Sequence, residues 1–261
     1  MKKYWKLVVG LFLIFLPTAC FADDLSITVS GNVPDTEVTL IGYASPSAFI
    51  TFYDGGAVVG TVSANSSGGF SKTLFHQTAG IHSFNITSED AYGRIAPTYS
   101  FVVTLIPQHS TIISNIVLPT TIALSAVEIY RGETINISGS TTPGANVSLF
   151  IHSEAINKNF PAPSSGHWSY SLQDDLTPGN HSTYARVSVG NLLSSNSQSL
   201  FFNVLERRCG DADLNRDGRV NLTDFSILLY HWGTGNETAD ISCDGIVNLT
   251  DFSIMLFKWT G

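Results

Sequence analysis

The chain has 261 residues, a formal net charge of −8 and an isoelectric point near 5.2. This length allows two or three domains. The acidic balance, with no cluster of lysine and arginine beyond the first six residues, argues against a nucleic-acid-binding protein. Charged residues make up only 13% of the chain, and Gly, Ser, Thr and Asn alternate with Val, Ile, Leu and Phe. Such a composition is typical of β-structure with many turns.

The N-terminus has the pattern of an export signal. Three lysines in the first six residues precede an apolar run, residues 7–16, that is too short to span a bilayer. We expect cleavage after Ala22, so that 1–22 is a signal peptide. In the alternative, "LPTAC" resembles a bacterial lipobox and Cys20 carries a lipid anchor. Both readings predict a secreted or surface-associated protein, and no later segment has the length and hydropathy of a membrane span.

From Leu25 the chain runs in short segments with an apolar residue at every second position, such as "LSITVSG", "EVTLIGYA" and "TYSFVVTL". Gly, Pro, Asn, Ser or Asp bounds each segment, as in β-strands. The "YDGG" stretch, residues 53–56, predicts a hairpin turn because Asp-Gly readily adopts positive φ. About seven strands in this space are typical of an immunoglobulin-like sandwich. We therefore predict a first sandwich over 23–106.

The same pattern returns about a hundred residues later. "GYASPSAFITF" aligns with "GSTTPGANVSLF", and "TAGIHSF" aligns with "TPGNHSTY". We predict a second sandwich over 122–206 and an inter-domain linker over 107–121. Phe70 and Trp168 occupy equivalent places and are expected to anchor the two cores. The two units resemble bacterial Ig-like domains.

The predicted sandwiches show little sign of catalytic chemistry. Their carboxylates are scattered, and no Gly-x-Ser-x-Gly, His-Glu-x-x-His or phosphate-binding loop is present. His152, His167 and His181 lack the spacing that would place two of them on one face as metal ligands. The sequence also shows no aromatic strip of the kind that stacks on sugars, although glycans remain possible partners.

Two acidic loops near the C-terminus follow the twelve-residue Ca²⁺-loop pattern: "DLNRDGRVNLTD" and "DISCDGIVNLTD". Oxygens at loop positions 1, 3, 5, 7 and 12 converge on a hard cation, and glycine at position 6 permits the sharp turn. Asn221 and Asn248 take position 9 and are expected to act through water. The sequence therefore predicts two calcium ions. The predicted ligands are Asp213, Asn215, Asp217, the Arg219 carbonyl and Asp224, and then Asp240, Ser242, Asp244, the Ile246 carbonyl and Asp251.

Each loop is followed by a helix with apolar residues on two sides. One side is expected to pack against its counterpart: Phe225, Leu228, Leu229 and Trp232 against Phe252, Met255, Leu256 and Trp259. The other side, together with loop positions 10 and 11, is the predicted docking surface. It is expected to dock either on a partner protein or on the neighbouring sandwich. Its residues are Leu222, Thr223, Ile227, Tyr230, Leu249, Thr250, Ile254 and Phe257. With the leader removed, Cys209 and Cys243 remain, and an even pair in an exported protein predicts a disulfide.

The C-terminal region, 207–261, resembles a type I dockerin, a duplicated loop–helix calcium module related to EF-hands that plugs into cohesin domains. The resemblance implies calcium as the cofactor and a cohesin-like partner. Loop positions 10 and 11 hold Leu-Thr instead of the commoner hydroxyl pair, which is where this sequence departs from the family.

We thus expect a mainly β protein: two tandem Ig-like sandwiches, then a small α-helical calcium module. The expected function is that of a secreted, non-catalytic modular protein that docks or assembles through its C-terminus. The alternatives are an accessory of a cellulosome-like, polysaccharide-degrading assembly and, less favoured, a glycoside hydrolase.

Overall fold

The structure is a computed structural model that describes residues 25–33, 35–152, 155–173, 176–206 and 209–261. The predicted signal peptide and Cys20 lie outside the described residues. In the part of the chain that is described, no helix has the length and apolar character needed to cross a membrane.

The first sandwich pairs two four-stranded sheets, ordered β1-β8-β2-β5 and β4-β3-β6-β7. Its strands are β1 Ser26–Asn32, β2 Glu37–Tyr43, β3 Phe49–Asp54, β4 Ala57–Ser63, β5 Gly69–Leu74, β6 Gly80–Glu89, β7 Tyr99–Leu105 and β8 His109–Val117. Inward residues of both sheets, including the fully buried Leu40, Phe52 and Phe84, form one core. The predicted hairpin turn joins β3 to β4, with φ of 54° at Gly55 and 88° at Gly56.

Strand β8 differs from the sequence expectation, which placed 107–121 in a linker. It lies inside a sheet, antiparallel to β1 and parallel to β2. Ile113 and Ile116 are fully buried in the first core, whereas the next residue, Val117, belongs to the second. Gly42 on β2 permits this close approach, because a Cβ there would clash with the Ile116 carbonyl oxygen. The segment is therefore a strand that enters both cores.

The second sandwich has one sheet ordered β10-β17-β15-β12-β13, with β16 on β15, and one ordered β14-β11-β9. The strands are β9 Ala123–Leu124, β10 Glu128–Tyr130, β11 Ile135–Ser140, β12 Asn146–His152, β13 Ile156–Pro161, β14 His167–Leu172, β15 Gly179–Val189, β16 Leu192–Leu193 and β17 Leu200–Leu205. Trp168 is 1% exposed, and its Nε1 donates to Thr120 Oγ1 at 2.8 Å. Trp168 and its counterpart Phe70 are both core residues, as predicted.

A buried polar junction joins the two sandwiches. The Asp90 carboxylate, in the β6–β7 connection, accepts hydrogen bonds from Thr121 Oγ1 at 2.6 Å and Arg94 Nε at 2.8 Å. Arg94 Nη2 also donates to Ser140 Oγ on β11 at 2.8 Å. Burial raises the pKa of Asp90, but hydrogen bonds from Thr121 and from the backbone N–H groups of Arg94 and Tyr92 outweigh burial and hold it below its ordinary value. Buried charged groups satisfied in this way bind the sandwiches to each other.

The C-terminal module contains α1, Leu222–Tyr230, and α2, Leu249–Phe257. Its core is small: Leu228 and Met255 are fully buried, and the Phe225 and Phe252 rings meet with centroids 5.1 Å apart. A disulfide joins Cys209 to Cys243, with 5.6 Å between their Cα atoms. Helices of nine residues are marginal alone, so their stability depends on this core and on the loops before them.

Candidate calcium site and docking surface

In the first loop, the last carboxylate holds both ends of the loop together. Asp224 is fully buried, and its Oδ1 accepts from the backbone N–H groups of Leu214 at 2.8 Å and Asn215 at 3.1 Å. Its Oδ2 accepts from Asn221 N at 2.9 Å, which completes the capping box of α1. The helix start is thus hydrogen-bonded to the loop start.

The first residue of the same loop closes its turn. Asp213 Oδ2 accepts from Gly218 N at 2.8 Å, and Gly218 adopts a φ of 87° that glycine tolerates without strain. Asn215 donates through Nδ2 to Asp217 Oδ2 at 2.9 Å. The side chains predicted as metal ligands at positions 1, 3 and 5 therefore lie around one turn.

The second loop repeats this geometry. Asp240 Oδ2 accepts from Gly245 N at 2.9 Å, and Gly245 has a φ of 95°. Asp251, fully buried, accepts from Ser242 N and Asn248 N, both at 2.7 Å. Burial raises the pKa of Asp251, but these hydrogen bonds outweigh burial and leave it below its ordinary value. The carboxylate is therefore ionised at neutral pH, as a metal ligand must be.

Three carboxylates converge in the second loop. Asp240, Asp244 and Asp251 each offer one oxygen, and these oxygens lie within 4.8 Å of one another. Asn248, at position 9, contacts both Asp244 Oδ2 at 3.2 Å and the Ile246 carbonyl at 3.0 Å. A carboxylate oxygen has two acceptor directions, so oxygens that already accept an N–H retain a lone pair for a cation. Hard oxygen donors in this arrangement fit Ca²⁺.

The helices bury only part of the side that was expected to pack. Leu228 and Met255 are buried, but Leu229 and Trp232 are 50% and 44% exposed. In α2, Leu256 is 53% exposed. The expected packing is therefore limited to Phe225, Leu228 and their counterparts. The exposed side of each helix carries Leu222, Leu229 and Tyr230, and then Leu249, Leu256 and Phe257.

Most of the predicted docking residues lie on this exposed side. Thr223 and Thr250 are exposed at the helix starts, and Tyr230 and Phe257 are 83% and 90% exposed. Ile227 is only partly exposed, and Ile254 packs against the core of the module. Helical spacing placed Ile227 and Ile254 on the outer side, but Ile254 contributes to the packing of the module.

The second sandwich touches the module through a loop, away from the exposed helix sides. Arg131 Nη1 lies 3.9 Å from Glu237 Oε2, and Arg216 Nη1 donates to the Gly132 carbonyl at 3.5 Å. Both contacts are long. The apolar residues on the exposed sides of α1 and α2 remain open to solvent. The neighbouring sandwich is therefore not what covers them.

Sequence reasoning missed an aromatic cluster on the second sandwich. Phe150 on β12 and Tyr184 on β15 are opposite each other in register, with ring centroids 4.9 Å apart. His152 also stacks on Tyr184, with ring centroids 5.3 Å apart. Only the pairing of β12 with β15 brings them together, because Phe150 and Tyr184 are far apart in the chain. Once the pairing of β12 with β15 is known, the alternation of inward and outward positions along both strands shows that these three residues share one face.

Comparison with known proteins supports the module assignment. Residues 211–256 match the family model of the dockerin type I domain, which confirms the predicted resemblance over both loops, α1 and all but the last residue of α2. Dockerin domains bind cohesins. No curated protein matches the chain.

Several solved structures are similar to the chain in fold. One contains Clostridium thermocellum CbhA fibronectin(III)-like modules, with 15% identity, 70% of this chain and 96% of that chain covered, and a TM-score of 0.28. Another is a Ca²⁺-stabilized adhesin of an Antarctic bacterium, with 15% identity, 68% and 51% coverage and a TM-score of 0.27. Likenesses this remote carry no functional information. The mainly β fold with two C-terminal helices agrees with the sequence prediction.

Proposed function

We propose that this protein is a secreted or surface-associated, non-catalytic component of an extracellular assembly. Its C-terminal module binds two calcium ions and docks on a cohesin-like partner, while the two sandwiches act as spacer or adhesion units. The dockerin match over 211–256 supports the docking role. If the cohesin-like partner is part of the scaffold of a polysaccharide-degrading assembly, the same docking makes this protein a member of that assembly.

The observation that carries this proposal is the pair of exposed apolar helix sides. Leu222, Leu229 and Tyr230 on α1 are 70%, 50% and 83% exposed. The corresponding residues of α2 are equally open: Leu249, Leu256 and Phe257. Exposed apolar residues of this kind on a small domain mark a protein-interaction site, and large exposed aromatic residues such as Tyr230 and Phe257 are typical interface anchors.

The loops serve this surface by fixing the two helices. Calcium, when bound, supplies the divalent charge that neutralises the loop carboxylates. Asp224 and Asp251 then hold the first turn of each helix through their capping boxes. Leu228 and Met255 pack between the halves, so the outer residues are presented on a rigid base.

The test is calorimetric titration of the full chain with purified type I cohesins, with calcium or with EDTA. We expect calcium-dependent binding, and a loss of affinity of about a hundredfold when Tyr230 and Phe257 are both replaced by Asp. Both helices are changed together because each presents the same side chains. The matched control is Val58→Asp in the first sandwich, where Val58 is 60% exposed.

Unchanged affinity in the Tyr230→Asp/Phe257→Asp variant would place docking elsewhere on the chain. Binding that is equal in calcium and in EDTA would separate docking from the loops and contradict the proposed calcium dependence.

A further inference from the structure

The outer face of the larger sheet in the second sandwich carries a stack of three rings. Phe150 and Tyr184 are inclined by 19°, and Tyr184 and His152 by 21°. Phe150 and Tyr184 are partly exposed and His152 is exposed, so the rings belong to the surface and not to the core. Phe201, on the neighbouring strand β17, is 70% exposed and lies opposite Ser182 on the same face.

The first sandwich shows that the fold does not need this stack. Tyr53 is the counterpart of Phe150, and Asn85, which pairs with Tyr53, is the counterpart of Tyr184. Asn85 Oδ1 accepts a hydrogen bond from Ser100 Oγ at 2.6 Å and makes no ring stack. Two sandwiches of the same fold thus differ at this face, so the fold itself does not require the rings.

A guanidinium with an unpartnered Nε lies beside the rings. Arg186 follows Tyr184 by two residues on the outer side of β15, opposite Ser148 of β12. Its Nε is buried and has no hydrogen-bond partner, although a buried guanidinium N–H left unpaired is costly. The outward positions of β12, β13 and β15, all within the described residues, hold no carboxylate that could pair with it.

The neighbouring polar groups are amides and hydroxyls. Asn157 lies opposite Phe150, and Asn159 lies opposite Ser148, whose Oγ donates to it at 2.7 Å. Rings, amides and one guanidinium fit a ligand with both apolar C–H faces and many oxygens. A lipid surface or a nucleic acid would require several cations in a cluster, and this face has one arginine.

We propose that this face binds an acidic polysaccharide, a chain that contains uronic acid units. The sugar C–H groups pack on the exposed Phe201 ring and on the parts of the Phe150 and Tyr184 rings that the stack leaves open. A uronate carboxylate accepts from Arg186 in a charge-assisted hydrogen bond, and sugar hydroxyls bond to Asn157 and Asn159. The net charge of −8 does not oppose this, because salt screens charges more than about 8 Å away.

The test is titration of the full chain with a galacturonic acid trisaccharide, and with the neutral trisaccharide cellotriose as comparison. Tyr184→Asn copies the residue found in the first sandwich and so keeps the fold, which a thermal melt checks. We expect it to weaken binding at least about tenfold through loss of the ring contact. We expect Arg186→Gln to weaken binding about tenfold as well, and Tyr184→Phe to retain it.

The matched control is Tyr53→Asn on the first sandwich, which should bind like the unaltered protein. Three results would overturn the proposal: no binding of the acidic trisaccharide, equal affinity for cellotriose, or full affinity in both Tyr184→Asn and Arg186→Gln. Because the altered residues are remote from the helices, failure here would leave cohesin docking unaffected, and the reverse also holds.

Discussion

Removal of calcium is expected to unfold the C-terminal module and leave the two sandwiches folded. The reason is electrostatic. The oxygens of Asp240, Asp244 and Asp251 lie within 4.8 Å of one another. At that distance two unit charges repel by about 1 kcal/mol in water and by about 3.5 kcal/mol at an effective dielectric constant of 20. Three pairs give about 3 to 10 kcal/mol, and the exposure of Asp244 places the sum in the lower half of that range.

This repulsion is comparable with the entire stability of the module. A domain of about 50 residues is stable by about 3–8 kcal/mol, and calcium at a hundred times its dissociation constant adds about 2.7 kcal/mol for each site. When the ions are removed, the module loses the stabilisation that calcium binding supplied and the loop carboxylates repel one another. Both effects lower its free energy of unfolding. The sandwiches have larger cores of their own and lack such loops, so they should not respond.

Hydrogen exchange measured by mass spectrometry on the full chain, in calcium and in excess EDTA, checks this expectation. Protection should be lost in Leu222–Tyr230 and Leu249–Phe257 and retained in strands such as Asn146–His152. The double variant Asp213→Ala/Asp240→Ala should reproduce the loss even in calcium. Helices that stay equally protected in EDTA would show that the loop carboxylates do not control the module, and the reasoning would fail.

Three further outcomes are expected from other contacts. Trp168→Phe removes the bond to Thr120 Oγ1 and should lower the free energy of unfolding by about 1–2 kcal/mol in urea titrations. Because the pKa of Asp90 is depressed in the folded state, its contribution is present above its unfolded pKa of about 3.9 and is lost as pH falls through the folded pKa. As the pH is lowered from about 6 to 2, the melting temperature of the unaltered protein should therefore fall more steeply than that of Asp90→Asn. Reduction of the Cys209–Cys243 bond, which joins residues 34 apart, should destabilise the module by about 4 kcal/mol, as a melt of Cys209→Ser would show.

Strand β8 illustrates why a strand was mistaken for a linker. Its burial does not alternate, because Ile113 and Ile116 are both buried although they are three positions apart in the chain. Between them Asn115 has a φ of 67°, and the pairing with β2 shifts there by one residue. A bulge of this kind places two residues opposite one and reverses the alternation. Periodicity alone predicts a regular strand and cannot locate such a bulge.

The helices illustrate a second limit. Spacing correctly predicted that each helix is apolar on more than one side, but it did not determine which side would be buried. Leu228 and Leu229 are adjacent and equally apolar, yet the first is fully buried and the second is 50% exposed. The rotation of each helix is set by Asp224 or Asp251, whose carboxylates hold the helix start against its loop.

The sequence by itself determined the paired acidic loops, their glycine turns and the helices after them, because all the groups involved lie within twelve consecutive positions whose spacing is a local property. It also determined the alternation that makes the rest of the chain β-structure. Only the tertiary structure decided the Asp90–Thr121 junction, the open sides of the helices and the ring stack of Phe150 and Tyr184. These depend on which strands pair, in what register, and on how domains meet, and long-range packing settles such relations where local spacing does not.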